Sequence, residues 1–215
     1  SITGQINVEL KKPENGERLF LNLYGNSAGR MEGNANTAIA INERWSTGLL
    51  LHGKYQPFRM DKNEDSFLDH LTGTQLIALN RWKYSNVNGL ESQFGIKMTY
   101  LDNNSGQVEF DPDTPQDDQP YWGSNMLTKR MEGWAKIGKI FPDKPFTSIG
   151  FQVSGTAHTQ EAFFGLRDYN ADHYSTYANL IYQGILGNTN HQFRTGSSFQ
   201  LDEFNLQSLG DFFQR

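Results

Sequence analysis

Gln93-Phe94-Gly95-Ile96-Lys97-Met98-Thr99-Tyr100 puts Phe94, Ile96, Met98 and Tyr100 on one parity and Gln93, Lys97 and Thr99 on the other. Successive strand side chains point to opposite faces, so this octet predicts a β-ribbon with one apolar and one polar side. The stretch 148–158 repeats the pattern. Ile149, Phe151, Val153 and Ala157 alternate there with Ser148, Gln152, Ser154, Thr156 and His158.

Working outward, the same alternation predicts strands over 17–26, 34–42, 47–56, 74–85, 128–140, 174–186 and 192–202, beside the ribbon that ends near Leu101. Leu50 breaks the pattern of its strand, and Ile77 and Leu79 blur the faces of theirs. Short polar turns fall after the second, fourth, sixth and eighth strands. Asn86-Val87-Asn88-Gly89 is the clearest, because Asn-Gly accepts positive φ cheaply. Long connections are expected after the third (57–73), fifth (102–127), seventh (160–172) and ninth strands, while the first connection, near 29–33, is tight. Short turns at one end and long loops at the other are the habit of an outer-membrane barrel. The fold expected is therefore all-β, an antiparallel up-and-down meander of about nine strands.

Composition permits this reading. No stretch approaches the roughly 20 apolar residues of a spanning helix. A barrel strand needs only about 10 residues, half of them apolar, and leaves no trace in hydropathy averages. The 21 Gly, 9 Tyr and 15 Phe suit tight turns and interfacial aromatic belts. With no cysteine, disulfides, thiolate metal sites and cysteine nucleophiles are excluded together. The net charge of -5 and the lack of a Lys/Arg stripe argue against nucleic acid as a partner. Ser1 opens the chain with no charged or apolar leader, so a mature or excised piece is expected.

The opening residues carry a resemblance. Gly4, Ile6, Asn7, Lys11, Lys12 and Pro13, in Ser-Ile-Thr-Gly-Gln-Ile-Asn-Val-Glu-Leu-Lys-Lys-Pro, match in order and spacing the plug-to-barrel junction of TonB-dependent outer-membrane receptors. Glu9 and Leu10 differ from the commoner Ile-Thr and point to a subfamily, the Bacteroidetes type being one candidate. The resemblance implies a barrel of about 22 strands with a preceding plug domain. Residues 1–16 would be the junction and 17–215 the N-terminal portion of the barrel. It also implies a place in the cell outer membrane and partners to match. These are membrane lipid, the chain's own plug and remaining strands, TonB through a region that precedes this chain, and a small-molecule ligand, a metal chelate or vitamin.

In that family outer loops and plug grip the ligand. Phe163, Phe164, Arg167 and Tyr169, expected on the loop after the seventh strand, form an aromatic and cationic cluster suited to an anionic chelate. Tyr121 and Trp122 sit beside the acidic 102–118 loop and suit a membrane interface or a ligand contact. Asp111 and Asp113 offer two hard oxygens for calcium, but without the remaining spacing a solvated acidic loop is the better reading. His52 and His158 fall on the polar parity; His70 and His173 are expected in or beside long loops. No metal site and no cofactor are expected. Catalysis finds no motif, and Ser154 and His158 lie roughly 13 Å apart along one strand face. Two rivals remain: a small non-transporting outer-membrane barrel, and a soluble β-sandwich that binds carbohydrate, whose apolar faces would meet in one interior.

Overall fold

The computed structural model describes residues 13–115, 118–144 and 146–207. Among these residues a 3-10 turn, Pro13–Asn15, precedes nine strands. These are β1 (Phe20–Gly25), β2 (Met31–Ala40), β3 (Trp45–Gln56), β4 (Thr72–Ser85), β5 (Leu90–Gly106), β6 (Gly123–Ile140), β7 (Ser148–Phe164), β8 (Arg167–Ile185) and β9 (Gln192–Gln207). They form one antiparallel sheet in chain order, so the expected up-and-down meander is the fold. The sheet is not closed, and β1 and β9 are its edges. Among the described residues no second sheet packs against it, so the apolar faces do not meet in a sandwich interior.

Register fixes the two faces, because residues paired across strands share a side. The apolar face carries Leu21 and Leu23 on β1, Leu49 and Leu51 on β3, Leu76 on β4, and Ile96 and Met98 on β5. It continues through Met131 and Ile137 on β6, Phe151 on β7, Leu180 on β8, and Phe199 and Leu201 on β9. Nothing in the described chain covers it: Leu23 is 86% exposed, Leu21 64% and Phe199 57%. Soluble monomers rarely leave an apolar patch beyond a few hundred Å² open to water.

Aromatic rings gather on this face near the short turns. Trp45 lies against Tyr84, Trp82 and Phe94 with centroids 4.9, 6.4 and 6.3 Å away, and Trp82 stacks on Phe94 at 6.2 Å. Polar residues share the belt and are satisfied within the sheet, Thr47 by donating its hydroxyl to the Arg81 carbonyl at 3.0 Å. Asn80 accepts the Trp82 indole N–H at 2.7 Å and donates to the Gly48 carbonyl at 3.2 Å.

The opposite face is polar and ion-paired. Glu132 receives Lys97 at 3.0 Å and Arg130 at 2.9 Å, and His52 Nδ1 meets Asn34 Oδ1 at 2.8 Å. Trp134 also lies on this face, its ring laid where a side chain at Gly95 would stand. Pro13 is buried on the same side, over Gly48, and Glu14 pairs with Lys83. Of the six junction-motif residues only Pro13 is therefore placed; Gly4, Ile6, Asn7, Lys11 and Lys12 lie outside the described residues.

Leu50, Ile77 and Leu79 resolve the blurred alternation of β3 and β4. All three point to the polar face, Leu50 pairs directly with Leu79, and Ile77 pairs with His52. Together with Asn34, Asn36 and Lys97 they line a shallow depression of about 370 Å³.

Two expectations are corrected. Residues 160–172 are not a loop: β7 and β8 run through them and turn at Gly165 and Leu166, with Gly165 at φ +59°. The long connection 102–127 contracts to 107–122, since β5 extends to Gly106 and β6 starts at Gly123. The ladder bonds are made by backbone groups, so pairing continues where apolar alternation has stopped. Long connections thus follow β3 and β5, while β7 is followed by a tight turn. Asn26 and Asn86 build two of the short turns in the same way. Asn26 Oδ1 accepts the amides of Ala28 and Arg30, and Asn86 Oδ1 those of Asn88 and Leu90, all between 3.0 and 3.1 Å.

Candidate functional site

The connections after β1, β3, β5 and β7 lie at one end of the sheet, opposite the short turns after β2, β4, β6 and β8. At that end three of them are knitted together by backbone bonds. Leu68 N–H donates to Gly106 O at 2.9 Å, Val108 N–H to Ser66 O at 2.9 Å, and Gly165 N–H to Gly123 O at 2.8 Å. Arg59 Nη1 donates to the carbonyls of Phe110 (2.6 Å) and Val108 (3.3 Å), tying the β3–β4 connection to the β5–β6 one. Gln107 Oε1 accepts the Trp122 amide at 2.7 Å while Gln107 N–H donates to Trp122 O, which clamps both ends of 107–122.

Phe110 anchors this arrangement. It is 5% exposed and lies over Gly123, where an added Cβ would meet its ring at 2.2 Å. Its ring centroid is 6.0 Å from that of Phe163. Trp122 in turn sits 6.3 Å from Phe67 and beside Gly165. The result is an open cavity of about 400 Å³ between the two connections. Tyr121, Trp122, Gln119 and Pro120 form one wall, and Phe164, Leu166 and Arg167 the other.

Four of the six residues singled out from the sequence, Tyr121, Trp122, Phe164 and Arg167, are therefore brought together. Phe164 and Arg167 are direct partners across the β7–β8 turn. Phe163 has the opposite parity and turns away, packing on Phe110. Tyr169 shares the face of Arg167 but stands two residues farther down β8, off the cavity wall. Sequence reasoning missed Phe110, Gln119 and Leu166; Phe110 was legible only as an aromatic inside an acidic loop.

The cavity offers surface for contact and no reactive group of its own. Two broad aromatic surfaces, an apolar Leu166 and one guanidinium suit a ligand that offers flat or apolar area and an acceptor group. The Asp111 carboxylate is occupied locally: it accepts the Asp113 amide and the Thr114 hydroxyl, each at 3.1 Å. Among the described residues no three His, Asp or Glu side chains come together as a metal-holding group. His70 lies in the β3–β4 connection near Arg30 and Lys54, while His173 is not in a loop but within β8, on the polar face.

Comparison with known proteins adds no likeness. No family model, no curated protein and no solved structure matches this chain. The functional reading rests on the wall and the cavity themselves, together with the junction motif.

Proposed function

We propose that this chain is the N-terminal part of the barrel of a TonB-dependent outer-membrane receptor for active uptake of a scarce nutrient, with an iron chelate as the nutrient the resemblance favours. The observation that carries the proposal is the uncovered apolar face with its aromatic belt, set against a polar, ion-paired face on which Pro13 and Glu14 rest. On β3 the apolar face runs from Trp45 to Tyr55, ten residue steps. At about 3.3 Å per residue that is roughly 33 Å of strand, or about 23 Å of height at a tilt near 45°. An outer-membrane barrel presents an apolar band of about 25 Å between aromatic girdles.

In this reading the apolar face meets lipid, and the polar face lines the lumen where the plug sits. The Tyr121–Trp122 and Phe164–Arg167 walls belong to the outer mouth and contribute to ligand capture. TonB-driven rearrangement of the plug then admits the ligand. The open edges at β1 and β9 fit a sheet that further strands complete, since unpaired ladder groups are untenable in hydrocarbon.

Membrane fractionation, with denaturing gels and intact mass, tests the reading on the natural gene product. The expected result is a much longer polypeptide in the outer membrane with this segment inside it, and radioiron-chelate uptake that falls in Trp122→Ala and Arg167→Gln variants. A native product of about this length, soluble and monomeric without detergent, would overturn it.

A further inference from the structure

His158 on β7 and His173 on β8 are direct cross-strand partners on the polar face. Side chains so placed have Cβ atoms about 4.5–5.5 Å apart, within reach of one another's ring nitrogens. His158 Nδ1 is turned from solvent and meets no hydrogen-bond partner, so that nitrogen is uncommitted within the sheet. His173 is oriented from two sides. Its Nε2 meets Asp202 Oδ1 at 3.2 Å, and its ring stacks on Phe204 with centroids 4.5 Å apart. A carboxylate on one imidazole nitrogen that leaves the other to a metal is the common way such a ligand is aimed. Arg130 is paired with His158 across β6–β7, but its guanidinium is turned to Glu132 at 2.9 Å.

From this juxtaposition we propose that His158 and His173 together bind a divalent transition-metal ion of the zinc, nickel or copper class. Imidazole nitrogens suit these ions, and water completes the coordination. Two protein nitrogens make an exchangeable site that fastens β7 to β8, not a closed structural centre. The inference rests on the sheet register and not on the receptor reading, so either stands or falls without the other.

The test is titration of Ni2+ and Zn2+ into the full-length gene product, purified in the state in which it occurs, followed by calorimetry and thermal unfolding. One ion per chain is expected, held by the two imidazole nitrogens. His158→Gln and His173→Gln should each weaken binding by more than about tenfold, and Asp202→Asn by about tenfold. A variant with His52, His70 and His191 all replaced by Gln should bind unchanged and serves as the folded control. Binding that survives His158→Gln and His173→Gln, or that disappears only in the triple variant, overturns the proposal. So does the lack of any one-to-one binding at pH above 7.

Discussion

Ile96→Arg reports directly on what the apolar face touches. Ile96 is central in β5's apolar row, which runs from Leu90 to Tyr100, and its side chain is 47% exposed. Those ten residue steps correspond to about 23 Å of height, so Ile96 lies within a few Å of the middle of the band. An arginine at the midplane of a barrel's lipid face costs about 2–4 kcal/mol. That is roughly a thirty- to eight-hundred-fold loss in the folding equilibrium. The same change at a water-facing position away from special features stays within about 0.5 kcal/mol. Thr156→Arg is the matched control, since Thr156 faces the polar side beside Glu132. The assay is urea-dependent folding of the full-length protein into phosphatidylcholine vesicles, read by tryptophan fluorescence and gel mobility. If Ile96→Arg costs no more than Thr156→Arg, the apolar face does not meet lipid and the argument fails.

Three further outcomes are expected. Gly95→Ala should destabilise by about 1–3 kcal/mol, because its Cβ would stand 2.5 Å from the Trp134 ring and 2.8 Å from the Asn80 carbonyl; adding Trp134→Ala should recover only part of this in equilibrium unfolding, since the backbone clash stays. Gly89→Ala should also destabilise, as φ is +77° and the new methyl would meet the Ile140 carbonyl at 2.4 Å; Gly187→Ala, at φ +75° with nothing within 4 Å, should cost less, and the difference between the two midpoints isolates the clash from the strained φ. A double-mutant cycle on Glu14→Gln and Lys83→Ala should give a coupling of about 0.2–1 kcal/mol, because both groups keep contact with water; a coupling of several kcal/mol would mean that the pair is enclosed.

The strands were legible wherever one face turns apolar and the other does not, as from Phe94 to Tyr100 and from Ile149 to Ala157. Asn86 to Gly89 was legible too, because its turn chemistry is local. Beyond the band the signal stops. Thr159, Gln160 and Glu161 offer no apolar side, yet their backbone pairs on toward Phe164, so the hairpin read as a loop. Leu50, Ile77 and Leu79 were visible as irregularities, but only the register shows that they share one side. For the candidate site the residue types were legible and their meeting was not. Tyr121 and Trp122 reach Phe164 and Arg167 because 107–122 folds against the β7–β8 turn. No periodicity announces a contact across more than 40 residues.

The chain-order sheet also sets a schedule for assembly. Each strand pairs only with its sequence neighbours, so every interface can form as a hairpin, and contact order stays low for an all-β protein. The hairpins are not equal. Closing the sixteen residues between Gly106 and Gly123 costs about 2 kcal/mol more chain entropy than closing the two between Phe164 and Arg167. The β7–β8 hairpin is thus the favoured nucleus, with β6 and β9 zipping onto its flanks. The long β3–β4 and β5–β6 connections then close late, and the cavity beside Trp122 takes shape only as the latter settles.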